Sequence, residues 1–93
     1  SMINDFNNGT IAWTDWNILL DETGGPNHVK NFCFAPIHAD TRNGQLIYTN
    51  AYYYLGHFSK FIRPGAKRVQ TSASRSSLLT TAFLNTDNSL AVV

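Results

Sequence analysis

The sequence predicts an α+β protein in which short strands outnumber helices. Three features lead to this fold class: an apolar run near the amino terminus, one amphipathic helix in the middle, and a series of short strands after that helix. With 43% hydrophobic and 14% charged residues, the 93-residue chain has the composition of a packed protein rather than a disordered one. A complete eight-stranded α/β barrel needs about 250 residues, so any barrel-like portion must be partial.

The apolar run spans Ile11–Leu20 and is interrupted only by polar residues such as Asp15 and Asn17. Such a run between glycine-containing turns predicts a strand that is buried on both faces, as in a parallel sheet. A short buried helix is the alternative. The Gly24–Asn27 cluster then predicts a loop that leaves the carboxyl end of the strand, which is where α/β barrels build their active sites.

Two short alternating stretches, Ile37–Asp40 and Gln45–Thr49, flank an Asn43-Gly44 dipeptide. Asparagine followed by glycine between two such stretches is the strongest short-range signal for a β-hairpin. We therefore predict a two-stranded antiparallel hairpin here.

One helix is predicted after the hairpin. Apolar residues recur at the three and four spacing of a single helical face, at Ala51, Tyr54, Leu55, Phe58, Phe61 and Ile62. Asn50 is a suitable N-cap, and the helix should stop near Arg63 because Pro64 disfavours helical geometry in the residue before it.

The chain beyond Gly65 predicts an antiparallel meander of three short strands, at Arg68–Ser72, Leu78–Asn85 and Leu90–Val93. The change of pattern at Pro64-Gly65 predicts a domain boundary. Residues 1–64 would form a βα-type unit, and residues 65–93 would form part of a β-sheet domain.

Several classes of function receive no support from the composition. A formal net charge of +1 gives no electrostatic reason to expect nucleic acid as a partner. No apolar run approaches the length of a membrane span, about 18 residues. His28, His38 and His57 lack metal-ligand spacing, so we expect neither a metal nor a cofactor. No feature of the sequence assigns a cellular location.

The most informative candidate residues lie in the apolar run. An acid inside an aromatic strand is costly unless it is paired, so Asp15 either supports a site or ties the strand to a loop. Trp13 and Trp16 would point to opposite faces of a strand. At most one of them could stack on a sugar ring at a barrel mouth, and otherwise both fill the core.

Three motifs carry a resemblance to a known family: TDWN at Thr14–Asn17, GGPN at Gly24–Asn27, and the long segment YYLGHFSKFIRPGAKRV at Tyr53–Val69. In these the chain resembles the glucosylceramidase-like branch of glycoside hydrolase family 30. The resemblance implies an eight-stranded α/β barrel joined to a β-sandwich, and hydrolysis of β-glycosidic bonds with retention. The chain would then be a partial unit, with the last barrel strand at Ile11–Trp16, the last barrel helix at Asn50–Ile62, and sandwich strands from Arg68 onward.

The same resemblance assigns candidate site residues. It makes Trp16 the floor of the sugar site, Asn31 a neighbour of the bound glycoside, and Asp15 a supporting residue that does not touch substrate. His28 stands where the family has tryptophan after GGPN, which puts the aglycone preference in question. The family's two catalytic glutamates have no counterpart here, so no residue of this chain is expected to be catalytic.

The resemblance leaves three hypotheses. The chain is a carboxy-terminal fragment of a retaining β-glycosidase that binds its β-glycoside substrate only within the complete enzyme, a sugar-binding or interaction β-domain without catalysis, or a truncated product without function. Uncovered apolar faces and sheet edges predict a homo-oligomer.

Overall fold

A computed structural model describes all 93 residues, Ser1–Val93. The chain forms two helices and six short strands, which confirms the predicted predominance of strands: α1 Met2–Asn7, β1 Leu19–Asp21, β2 Ile37–Asp40, β3 Gln45–Tyr48, α2 Asn50–Ser59, β4 Lys67–Val69, β5 Ala82–Leu84 and β6 Leu90–Val92. By packing, the chain divides into unit 1, Ser1–Trp13 with His57–Val93, and unit 2, Thr14–Gly56. The predicted domain boundary at Pro64-Gly65 stays a prediction.

The sheet of unit 2 has the order β1-β2-β3, with β1 parallel to β2 and β2 antiparallel to β3. The predicted hairpin is therefore confirmed. Asp40 closes its turn, because one carboxylate oxygen accepts the backbone N–H of Arg42 at 3.1 Å and the other accepts the Asn43 side chain at 2.7 Å. Gly44 completes the turn at a φ of +66°, a conformation that side chains other than glycine disfavour.

The predicted buried strand at Ile11–Leu20 is wrong for most of its length. Residues 11–18 form neither a strand nor a helix, and the side chain of Ile11 is 98% exposed. The assignment of Ile11–Trp16 as a barrel strand fails in this structure because no other strand of the chain runs beside it, so its backbone cannot form a ladder. Only the end of the run, Leu19–Asp21, is paired, with β2.

Helix α2 confirms the predicted helix with small shifts at its ends. It begins at Asn50, which lies inside the helix rather than before it, and it ends at Ser59. Phe58 then accepts the backbone N–H groups of Phe61 and Ile62 in a closing turn. The apolar face of this helix is mostly exposed, since Phe58 is the only buried residue of the helix and Tyr54 is 66% exposed.

Unit 1 contains the predicted antiparallel meander, in the order β4-β5-β6, although each strand is shorter than predicted. Phe83 on β5 is buried opposite Ala91 on β6. The α1 helix, which the sequence patterns did not predict, supplies Phe6. The Phe6 ring packs edge-on against Phe83 with centroids 5.7 Å apart and lies 5.6 Å from the ring of Phe58. These rings form an aromatic core.

A buried asparagine holds the turn after α2 to the meander. The Asn85 side chain is 6% exposed, accepts the backbone N–H of Arg63 at 2.9 Å and donates to the carbonyl of Phe61 at 2.9 Å. It also donates to the Ser89 hydroxyl. All the polar atoms of this amide face partners, as burial of an amide requires.

Neither helix has the length and apolarity that a membrane crossing would require.

Candidate functional site

The structure places Trp16 in an open position in unit 2. Its side chain is 79% exposed. The neighbouring Asp15 carboxylate accepts the backbone N–H of Trp16 at 2.8 Å, which restrains the chain at this point. An exposed indole combines a flat apolar face with an N–H donor, so it suits stacking against a sugar ring and bonding to a hydroxyl.

The loop after β1 is organised by Asp21. One oxygen of its carboxylate accepts the backbone N–H groups of Thr23 and Gly25, both at 2.9 Å, and the Thr23 hydroxyl at 2.6 Å. These bonds lower the pKa of Asp21, with the Thr23 hydroxyl as the largest cause. The carboxylate is thus an acceptor that shapes the loop, and a lowered pKa makes it a poor proton donor at neutral pH.

The GGPN segment is hydrogen-bonded to a later part of the same loop, at Cys33. Gly24 has a φ of +74°, and its carbonyl accepts the backbone N–H of Cys33 at 3.1 Å. A Cβ atom at Gly24 would lie 2.5 Å from the Cys33 nitrogen, closer than atoms can approach. Glycine is therefore required here both for its backbone angle and for the close approach.

Asn31 lies in this loop and is exposed. Its carbonyl accepts the side chain of Asn27 at 2.8 Å, so the last residue of GGPN fixes the backbone of Asn31. The Asn31 side chain makes a weaker contact, donating to the sulfur of Cys33 at 3.7 Å. Cys33 itself is half-buried. The amide of Asn31 is thus positioned from its backbone and remains exposed to solvent.

His38 holds the two ends of the loop together through hydrogen bonds. It lies on β2, is 7% exposed, and its Nε2 accepts the backbone N–H of Ala35 at 3.1 Å. Because Nε2 accepts, Nδ1 carries the proton and donates to the carbonyl of Asp21 at 2.9 Å. The ring also stacks on Phe32. No motif distinguished His38 from the other two histidines, although its place in an alternating strand could have indicated burial.

A cleft of about 490 Å³ opens beside the start of β1 and β2. The residues around it come from three segments of unit 2: Asp15, Asn17, Phe34, Ala35, Pro36, Thr49, Asn50 and Ala51. Of the three predicted site residues, only Asp15 borders this cleft. No hydrogen bond or ring contact joins Trp16 to Asn31, so within this chain the structure does not bring the two predicted sugar contacts together.

A second carboxylate arrangement lies at the hairpin turn. Glu22 accepts the backbone N–H and the hydroxyl of Thr41, each at 2.9 Å. Arg42 places its Nε 3.2 Å from Asp40 and 3.9 Å from Glu22. The pKa of Glu22 is lowered chiefly by the Thr41 backbone, and that of Asp40 chiefly by the Asn43 side chain. Two ionised carboxylates around one guanidinium clamp a turn, whereas an acid catalyst needs a raised pKa.

No three side chains among the histidines, cysteine and acids converge in a group that could hold a metal ion. The predicted sugar contacts thus lie on two separate features of unit 2, the exposed side chain of Trp16 and the loop that carries Asn31.

Comparison with known proteins decides the family. Residues 1–62 match the glycosyl hydrolase family 30 TIM-barrel domain, and residues 65–93 match the glycosyl hydrolase family 30 beta sandwich domain. The chain belongs to glycosyl hydrolase family 30. The resemblance seen in TDWN, GGPN and the segment Tyr53–Val69 is thereby confirmed.

The relatives within the family include glucosylceramidases. The chain is similar to lysosomal acid glucosylceramidase of Mus musculus, at 47% identity over 83 residues, which are 88% of this chain and 16% of the mouse protein. In the crystal structure of SrfJ from Salmonella typhimurium, 94% of this chain matches 20% of that chain, with a TM-score of 0.88 and 40% identity. The chain thus spans about a sixth to a fifth of the length of these relatives.

Proposed function

We propose that this chain is the part of a retaining β-glycosidase of the glucosylceramidase type that supplies substrate contacts and scaffold, without the catalytic glutamates. One observation carries the proposal: the two family domains match in order along the chain, and the relatives include a glucosylceramidase. The substrate class is accordingly a β-glucoside, bound by the complete enzyme.

The acids of the chain support the non-catalytic part of the proposal. Retention requires two carboxyl groups about 5 Å apart, one of which must hold a proton near neutral pH. The chain has a single glutamate, Glu22, and its carboxylate is taken up by Thr41. Asp21, Glu22, Asp40 and Asp87 all have lowered pKa values because hydrogen bonds stabilise their charged forms. None of these four suits the role of a general acid.

Substrate contact is assigned to Trp16 and Asn31, with Asp15 holding the backbone of Trp16. The exposure of the indole and the backbone anchoring of Asn31 by Asn27 support these roles. The loop that carries Asn31 keeps its shape through Asp21, Gly24 and His38. A sugar would then contact the aromatic face of Trp16 and the amide of Asn31. Contacts within unit 2 hold both residues in position.

Binding tests this assignment directly. Because the proposal assigns substrate binding to the complete enzyme, we expect methyl β-glucoside to change the tryptophan fluorescence only when the chain is part of that enzyme. Trp16→Ala should abolish the change and Trp13→Ala should keep it. A response that survives Trp16→Ala and disappears in Trp13→Ala would overturn the assigned contact.

Self-association is the second part of the proposal. Six hydrophobic residues are buried and three of them are alanines, whereas twenty large hydrophobic residues are exposed. Exposed apolar area on this scale normally marks a surface that a partner covers. A light-scattering mass above that of one chain is expected. A monomer at concentrations of about 0.1 mM would contradict this part while leaving the proposed glycosidase ancestry and substrate contacts intact.

A sugar-binding or interaction module is the second candidate. The aromatic core of unit 1, formed by Phe6, Phe58 and Phe83, favours this candidate. A sheet that has its own core can present a binding surface without any catalytic residues. The fluorescence titration separates the two candidates. Binding of methyl β-glucoside by the chain outside the complete enzyme, which neither Trp16→Ala nor Asn31→Ala reduces, would favour the module.

A further inference from the structure

A single buried imidazole contacts both ends of the loop between β1 and β2, which comprises residues 22–36. His38 is 7% exposed; its Nε2 accepts the backbone N–H of Ala35 at 3.1 Å, and its Nδ1 donates to the carbonyl of Asp21 at 2.9 Å. The same ring stacks on Phe32, with centroids 5.6 Å apart and 15° between the ring planes. His38 therefore contacts the residue before the loop and two residues in its last part.

These contacts bear on Asn31, the neighbour of Phe32. On one side, the Asn27 side chain donates to the carbonyl of Asn31 at 2.8 Å. On the other side, the segment that follows Asn31 is held against β2 by the stack of Phe32 on His38 and by the bond from Ala35 to Nε2. The position of the exposed Asn31 amide thus depends on His38.

The bond from Ala35 to His38 requires a neutral imidazole. A neutral ring has one nitrogen that donates and one that accepts, whereas an imidazolium has two donors. On protonation, Nε2–H would face the N–H of Ala35. Ala35 is 3% exposed, so water has no access to its N–H as a replacement acceptor. A buried donor without an acceptor is costly, so the two N–H groups would separate.

The charged groups on the neighbouring strands do not restore this bond. The Asp21 carboxylate, on β1, attracts a protonated His38, but it has no hydrogen bond to Ala35. Strand β3 has no ionisable group other than the phenol of Tyr48. Asp40, which follows on the strand of His38 itself, is bonded to residues of the hairpin turn. None of these groups offers Ala35 a second acceptor.

The loop itself contains four further ionisable residues: Glu22, His28, Lys30 and Cys33. None of them is hydrogen-bonded to His38. Glu22 is bonded to Thr41, and His28 and Lys30 are exposed. Within the loop, His38 is therefore the ionisable side chain on which the Ala35 bond depends.

Protonation would loosen only one side of Ala35. The Thr49 hydroxyl donates to the carbonyl of Ala35 at 3.2 Å, and the Thr49 backbone N–H donates to the carbonyl of Pro36 at 2.9 Å. Neither bond involves an ionisable group, so both persist when His38 takes up a proton. The part that loosens is the segment before Ala35, which contains Asn31.

We propose that His38 is a positioning residue for the sugar contact at Asn31, and that only its neutral imidazole holds the loop in place. This inference rests on the proposed contact at Asn31 and deepens it by naming the group that controls it. Histidine is the side chain that ordinarily changes charge near neutral pH. As the pH falls and His38 is protonated, the Asn31 amide loses its fixed position and binding of the β-glucoside weakens.

An NMR titration of the chain with pH tests the proton dependence. The hydrogen-exchange protection factor of the Ala35 amide should fall by on the order of tenfold in the pH step in which the His38 ring signals shift. The Thr49 amide is the control and should keep its protection. An Ala35 amide that stays protected throughout the His38 step would overturn the inference and leave the proposed sugar contacts standing.

Two histidine variants identify the titrating group. His38→Gln retains an oxygen that can accept the Ala35 N–H and does not titrate, so the step at Ala35 should disappear. His28→Gln is the matched control, because His28 is exposed in the same loop, and the step should remain. A step that survives His38→Gln or disappears in His28→Gln would overturn the inference. The wild-type titration decides the question if His38→Gln does not fold.

Kinetics of the complete enzyme separate this inference from the proposed function. The KM for a β-glucoside should rise by on the order of tenfold through the His38 step, whereas kcat should not follow that step. In His38→Gln the KM should no longer respond to that step. If Asn31→Ala raises KM but the His38 step does not, this inference alone is overturned. If Asn31→Ala leaves KM unchanged, both this inference and the proposed sugar contact are overturned.

Discussion

Units 1 and 2 differ in what lies inside them. In unit 1 the ring of Phe6 packs against those of Phe58 and Phe83. The buried side chain of Asn85 bonds to the backbone of Arg63 and Phe61 and to the Ser89 hydroxyl. In unit 2 the buried positions are mostly polar or small, namely Leu20, Gly24, Gly25, Ala35, His38 and Asp40. Unit 1 is thus stabilised by apolar burial, whereas unit 2 is shaped by hydrogen bonds to Asp21, His38 and Asp40.

The difference bears on function. All three candidate site residues lie in unit 2, where loops are fixed by individual polar contacts and Trp16 is left exposed. Binding residues are commonly carried on loops that a more rigid framework positions. The polar unit therefore carries all three candidate residues, whereas the aromatic unit carries none of them.

The largest effect is expected from the core of unit 1. Phe83→Ala should destabilise the protein by about 3–5 kcal/mol, because it removes a buried ring and leaves a cavity beside Phe6. Phe34→Ala is the control in unit 2, where the ring is 82% exposed, and it should cost no more than about 0.5 kcal/mol. Urea unfolding measures both, and equal costs would contradict the proposed role of the aromatic core.

The next largest loss of stability is expected from two glycines of unit 2 that have a positive φ. Gly24→Ala and Gly44→Ala both place a side chain at positive φ, +74° and +66°, which costs about 1–2 kcal/mol. Only Gly24→Ala also collides with Cys33, since nothing lies within 4 Å of a Cβ at Gly44. We expect a larger fall in melting temperature for Gly24→Ala. If the two variants lowered the melting temperature equally, the loop would have moved to accommodate the new side chain at position 24 without a cost from the collision.

Removal of the buried Asn85 amide in unit 1 should lower the free energy of unfolding by less than removal of the Phe83 ring does. Asn85→Ala leaves the N–H of Arg63 and the carbonyl of Phe61 without their partner, at about 1–3 kcal/mol. Asn8→Ala removes an exposed amide in the same unit and should change the free energy of unfolding by less than about 0.5 kcal/mol. Similar values for the two variants, measured by urea unfolding, would contradict the role assigned to Asn85.

The smallest effect is expected from acid. Asp21, Glu22 and Asp40 in unit 2 have pKa values lowered by hydrogen bonds, whereas Asp87 is the one such group in unit 1. A lowered pKa stabilises the fold above the ordinary values of 3.8 for Asp and 4.5 for Glu, and that stability is lost as pH falls through the folded value.

Unit 2 should therefore loosen first on acidification. The amides of Gly25 and Thr41, which donate to Asp21 and Glu22, should lose hydrogen-exchange protection at higher pH than the amides of β5 and β6. Asp21→Asn should remove the pH dependence at Thr23 and Gly25 and leave it unchanged at Thr41. If the amides of unit 1 lost hydrogen-exchange protection at higher pH than those of unit 2, unit 1 would be the more acid-sensitive of the two units, contrary to this prediction.

Local patterns predicted the elements that are stabilised within the chain. Asn43-Gly44 predicted the hairpin because the turn depends on residues beside it, and the spacing of Leu55 and Phe58 predicted α2. The strand at Ile11–Trp16 failed for the opposite reason, since an apolar run becomes a strand only where another strand lies beside it. The short α1 lacks the apolar periodicity of a helix, so its Phe6 was not expected in the core.

The candidate site was predictable only through the family motifs. TDWN and GGPN pointed to Trp16 and Asn31, whose roles stay predictions. The role of His38 in the loop was missed because its Nδ1 bonds to the carbonyl of Asp21, which is distant in sequence. The His38 bonds to Ala35 and Asp21 depend on the pairing of β1 with β2, which no local pattern specifies.

Incubation of the purified chain with a fluorogenic β-glucoside shows whether this chain lacks the catalytic carboxylates. We expect no turnover above buffer, with wild type and Glu22→Gln indistinguishable, because the carboxylates shape turns and loops rather than carry a proton to the glycosidic oxygen. Turnover that Glu22→Gln or Asp15→Asn abolishes would contradict it and would place a catalytic carboxylate within these 93 residues.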